Sequence, residues 1–99
     1  MNNFEKGKQE FHHGQYQKAV DIILKLIKFN MVPIESPEYS DILWYLGNSR
    51  LGLYKEFPNK SLIYEALSDF VTGSNALYIN NNKSSENLKK GIVKCIELL

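Results

Sequence analysis

The chain has a single cysteine, Cys95, in 99 residues. No disulfide can form within it, so nothing about it calls for an oxidising compartment. It also lacks an excess of either charge: twelve Lys and Arg stand against eleven Asp and Glu, a net charge of +1. That balance leaves no basic footprint for nucleic acid. Long apolar runs are missing too. The richest stretch, 19–27, is broken by Asp21 and Lys25 and falls short of the roughly 20 residues that span a bilayer. The opening Met1-Asn2-Asn3-Phe4-Glu5-Lys6 carries no apolar signal segment. Histidines number two, His12 and His13. With Glu10 they fall short of a metal centre built from three or four well-placed ligands. No glycine-rich phosphate loop follows a strand, and no paired-carboxylate motif is present. These absences lead us to expect a cytoplasmic protein that is not an enzyme. They also imply no cofactor, no metal, no nucleic acid and no membrane partner.

What is present is helical periodicity. At 43% hydrophobic and 23% charged, residues 1–99 read as one folded domain. Asn2 and Glu5 have capping-box spacing at the start of a first helix, and Gly14 ends it. Tyr16, Ala19, Val20, Ile23, Leu26 and Ile27 form the apolar stripe of a second helix. On its wet side, Asp21 and Lys25 have the order of an i,i+4 ion pair. Ser36-Pro37 reads as an N-cap followed by proline at the first position of a third helix, reaching about Tyr54. Phe57-Pro58-Asn59 is a turn signal. A long fourth helix is expected from Asn59 or Ser61 through Leu77, stopped by Asn80-Asn81-Asn82-Lys83. Ser84 or Ser85 is the expected cap of a fifth helix. The matches Asn59-Lys60-Ser61 and Asn82-Lys83-Ser84 are expected to be turn and cap residues.

Small residues recur along this pattern. Gly7, Gly14, Tyr16, Ala19, Ile23 and Pro33 mark one hairpin, while Leu46-Gly47 and Ala66-x3-Phe70 mark another. Leu88 and Gly91 open a third. In this arrangement the sequence resembles the tetratricopeptide repeat family, whose unit shows Trp-x2-Leu-Gly-x2-Tyr, Ala-x3-Phe and a final proline over 34 residues. Here Trp44-x-Leu46-Gly47 is one residue short, and the glycines at 7, 47 and 91 are spaced by 40 and 44 residues. The extra length falls at 30–36 and 52–60. The resemblance implies an all-α fold: a right-handed stack of antiparallel helical hairpins, five helices forming about two and a half repeats.

It also implies a role. The first helix of each hairpin would line a concave groove that holds a protein or peptide partner. Carried over by position, that groove takes Phe4, Lys8, Phe11 and His12 from helix one. Helix three gives Trp44, Asn48 and Leu51, and helix five gives Leu88, Lys89, Ile92 and Ile96. Lys8, Asn48 and Lys89 form only a thin version of the family's carboxylate clamp. Trp44 and Tyr45 are candidate anchors, because rigid aromatics dominate binding hot spots; packing in the core is the alternative for Trp44. A second reading is a structural homo-oligomer associating through helix five. There Leu88, Ile92, Cys95, Ile96 and Leu99 share one strip, with Val93 and Leu98 off it. One strip can pack on helix four, and the remainder would leave apolar surface open.

Overall fold

The computed structural model describes residues 2–79 and 81–99. They form five helices: α1 (Asn3–His12), α2 (Tyr16–Lys28), α3 (Pro37–Glu56), α4 (Lys60–Ser74) and α5 (Asn82–Leu98). No strand occurs among the described residues. The chain is therefore all-α, with each helix packed on its sequence neighbour as a stack of helical hairpins.

The helix ends are set locally. Asn2 Oδ1 accepts from Glu5 N–H at 2.7 Å, while the Glu5 carboxylate pairs with Lys8 at 2.8 Å. Gly14 adopts φ +76°. Its N–H reaches Phe11 C=O at 3.0 Å, and the Gln15 N–H reaches Glu10 C=O at 2.8 Å. These two bonds satisfy carbonyls that the helix end would otherwise orphan. Asn30 repeats the device after α2 at φ 53°, with Asn30 N–H on Ile27 C=O and Met31 N–H on Leu26 C=O. Asn59 and Asn81 cap α4 and α5, accepting from Ser61 N–H and Ser84 N–H.

Four expectations change. α4 stops at Ser74, well short of Leu77. Thr72-Gly73-Ser74-Asn75 are weak helix formers, and the Ser74 hydroxyl bonds Val71 C=O. The cap of α5 is Asn81 rather than Ser84 or Ser85, so Asn81 starts a helix instead of ending one; Asn80, part of that expected stop, lies outside the described residues. Ser36 occupies the N-cap position, but its hydroxyl donates back to Pro33 C=O at 2.8 Å and makes no cap bond. The Asp21 carboxylate accepts from Gln17 Nε2 at 3.0 Å, one turn before it, where Lys25 was expected.

α3 touches all four other helices. α1, α3 and α5 form one row, α2 and α4 the row behind it. Among the described residues no backbone contact joins α2 to α4, whereas α1 meets α3 and α3 meets α5. The stack therefore curves with the odd helices on its inner side. Close approach rests on small residues opposed to rings. The Phe70 ring, fully buried, lies between Gly47 of α3 and Gly91 of α5. A Cβ at either glycine would come within 2.7 Å of it. Tyr16 packs onto Gly52 in the same way.

Candidate binding groove

The inner face carries two clefts, one at each end of the odd helices. The first, of about 570 Å³, is walled by Phe4, Glu5 and Lys8 of α1 and by Glu38, Asp41, Trp44 and Tyr45 of α3. Ser84, Asn87 and Leu88 of α5 close it. The second, of about 390 Å³, lies toward the helix C-termini. It uses Phe11 of α1, Asn48, Leu51 and Lys55 of α3, and Lys94 and Leu98 of α5, with Tyr16 at its edge. In α3 the shared stripe is 41, 45, 48, 52, 55; in α5 it is 84, 87, 94, 98. Both follow helical spacing, but in α5 Gly91, packed on Phe70, separates the pair lining the first cleft from the pair lining the second.

An aromatic seam joins the two clefts. Tyr45 meets Phe4 at 6.2 Å and Phe11 at 5.5 Å between ring centroids, both edge-on. Phe11 meets Trp44 at 5.8 Å and Tyr16 at 5.9 Å. Edge-to-face pairs contribute about 0.5–1.5 kcal/mol each beyond their buried area, so this wall is stiff. Trp44 is half-buried. It packs against the core that holds Leu51 and Phe70 and also lines the first cleft. The two readings of Trp44 describe two sides of one ring system.

The two ends differ in charge. Among the described residues the first cleft is lined by Glu38, Asp41 and the paired Glu5 and Lys8. Among the described residues the second is lined by two ammonium groups, Lys55 and Lys94, and by no carboxylate. Glu38 sits in the first turn of α3 and Lys55 in its last, where each is favoured by the helix dipole. The dipole supplies only about half a unit charge per helix end and fades within a turn. Unit charges one or two turns along the groove therefore set its local potential.

The structure distributes the sequence-derived candidates unequally. Phe4, Lys8, Trp44 and Leu88 surround the first cleft. Phe11, Asn48 and Leu51 surround the second. His12 borders a shallow depression with Lys8, Gln9 and Tyr45. Lys89, Ile92 and Ile96 line neither cleft: Lys89 borders a separate depression with Lys90, Val93, Lys94 and Glu97, Ile92 packs into the core, and Ile96 is 60% exposed. The clamp set is not assembled. Lys8 is held by Glu5, Asn48 Nδ2 donates to Trp44 C=O at 3.0 Å, and Lys89 points elsewhere. Ser84, Asn87, Lys94, Asp41 and Lys55 escaped the sequence reading. The signal that could have found them was the polar stripe of α5, since its apolar stripe is consumed by packing.

Behind the groove, Arg50 reaches across to α4. Its Nη1 donates to Asp69 Oδ1 and Oδ2 at 3.0 and 2.9 Å, and its Nη2 lies 3.5 Å from Glu65. Burial pushes the Asp69 carboxyl up from 3.8 to about 7. Arg50 pulls against that shift and Glu65 adds to it. Cys95 is fully buried, and burial pushes its thiol up to about 11, with Asp69 adding to the rise. A thiol so placed is a poor nucleophile at neutral pH. Among the described residues no group of three His, Cys, Asp or Glu side chains is placed to hold a metal ion, and no helix is long and apolar enough to cross a membrane. No protein-family model matches the chain, and no curated protein or solved structure matches it either.

Proposed function

We propose that this protein is a non-enzymatic cytoplasmic binding module, similar in mode to tetratricopeptide repeat proteins, that holds a peptide segment along the groove of α1, α3 and α5. The carrying observation is that both clefts draw on the same three helices and are joined by one aromatic seam. A groove of this kind binds by complementarity and needs no covalent step. Trp44 is the sole tryptophan, so its emission reports occupancy directly. The test is selection from a displayed random-peptide library, followed by titration of Trp44 fluorescence. Selected peptides should shift the emission and lose affinity in Tyr45→Ala, measured well below the lowered melting temperature that the loss of its ring contacts gives that variant. Selected peptides indifferent to Tyr45, or an empty selection, would count against the groove.

A second reading has its own observation. Val93, Ile96 and Leu99 of the C-terminal segment are 54%, 60% and 44% exposed. Self-association would cover them. Light scattering across a concentration series separates the two readings, since a strict monomer removes this one.

A further inference from the structure

The outward side of α5 carries Val93 and Ile96, 54% and 60% exposed, among charged side chains. We infer that two copies of the chain pair through α5, antiparallel, about a two-fold axis that passes at Val93. This rests on the self-association reading above and specifies its geometry. Leu88, Gly91 and Cys95 face the stack: Leu88 and Cys95 are buried, and Gly91 meets Phe70. At about 100° per residue, Val93 points the opposite way. Glu86, Lys89, Val93 and Ile96 recur along that side at steps of three and four residues, and all four are exposed. The groove residues Asn87, Lys94 and Leu98 lie about 100° or more around the helix from Val93, so the pairing face and the groove face are distinct.

Charge selects both the occupant and its direction. Among the described residues neither Lys89 nor Glu97 enters an ion pair. In an antiparallel pair centred on Val93, residues equally far before and after it face one another. Lys89, four residues before, meets Glu97 of the second copy, four residues after. The two-fold makes that contact twice. Lys90 lays its aliphatic stem over Ile96 of the second copy by the same rule. A parallel pair would instead set Lys89 on Lys89 and Glu97 on Glu97. A depression of about 320 Å³ framed by Lys89, Lys90, Val93, Lys94 and Glu97 lies at the centre of this face. Val93 of the second copy enters it as a knob enters a hole. One helix face falls below the roughly 1,200 Å² of a stable interface, so the dimer is weak and concentration-dependent.

The test is sedimentation equilibrium of the full chain up to about 1 mM, where a weak pair becomes populated. Lys89→Glu should weaken dimerisation about tenfold, because two attractive contacts become repulsive. Glu97→Lys should do the same. The double variant Lys89→Glu/Glu97→Lys reverses both charges and should dimerise within about twofold of the parent. Both positions are exposed, so the variants should fold, which their melting temperatures check. In Val93→Cys, mild oxidation should link two copies, since the residue meets itself at the axis. Cys95 is fully buried and does not compete. Glu86→Cys should not link, because it lies seven residues from the axis, which sets its two copies about 21 Å apart. A strict monomer at the highest concentration overturns this pairing and the self-association reading together. A dimer indifferent to Lys89→Glu, a double variant that stays monomeric, or Glu86→Cys linking as readily as Val93→Cys overturns the antiparallel arrangement alone and leaves self-association standing.

Discussion

The stack has two cores, and they are built differently. The first, between α1, α2 and α3, is aliphatic: Val20, Ile23, Leu26, Ile42, Leu43 and Leu46 fill it. The second, between α3, α4 and α5, centres on one aromatic ring, Phe70, gripped by two glycines. It also holds the Arg50–Asp69 pair, whose side chains are only 12% and 9% exposed. The first core can adjust, because branched aliphatic side chains shift by small rotations. The second cannot, because the ring is enclosed on both sides. Removing one partner of a buried ion pair is also strongly destabilising. The stack is therefore forgiving at its N-terminal end and exacting where α5 docks, which is also where α5 completes both clefts.

The sharpest way to break that contrast is Phe70→Ala. It empties the socket between Gly47 and Gly91 and should cost about 3–5 kcal/mol in urea unfolding. A cost below about 1 kcal/mol would mean that α5 does not depend on the ring. Next comes the pair of glycines at matching places in the two hairpins. In Gly47→Ala the new Cβ would stand 2.6 Å from a ring that Gly91 blocks from retreating, so a loss of about 1–3 kcal/mol is expected. In Gly7→Ala the nearest atoms are flexible Ile23 and Ile22 carbons at 3.3 and 3.4 Å. The helical gain of up to about 1 kcal/mol for alanine should nearly cancel the crowding. Equal losses at the two positions would erase the distinction between the cores.

The smallest effect concerns pH. Asp69 holds its proton to about 7 when folded and releases it near 3.8 when unfolded. Between those values the folded state binds the extra proton, so stability falls as pH rises through the window. The raised value already contains the opposing pull of Arg50, so the expected reading is a Tm that declines from pH 4 to pH 7. Asp69→Asn should flatten this slope. Identical slopes from pH 4 to 7 in both proteins would show that Asp69 is already ionised throughout.

Much of the fold was legible beforehand. Gly14, Pro37 and the Asn2–Glu5 spacing mark helix ends because capping is a local matter of a few backbone bonds. The stripe of α2 was legible because one polar face and one apolar face alternate cleanly around it. α3 was harder: helices surround it, so its apolar residues point in several directions. The end of α4 was missed because Ala76 and Leu77 prolong an apolar rhythm after the helix has closed. The groove face of α5 was missed for a different reason. Apolarity pointed to Ile92 and Ile96, yet Ile92 is drawn into the core and Ile96 turns outward. Ser84, Asn87 and Lys94 are left facing the clefts.

From the sequence alone came the five helices, the capping residues Asn2 and Gly14, and the apolar stripe of α2. Those features depend on neighbours within a turn or two. Tertiary structure alone decided the rest: that Phe70 serves two glycines at once, that Arg50 meets Asp69, and that Ser84, Asn87 and Lys94 of α5 line the clefts. Each of these depends on how three helices are rotated about their own axes. That rotation is chosen by packing all the faces together, and no single segment encodes it.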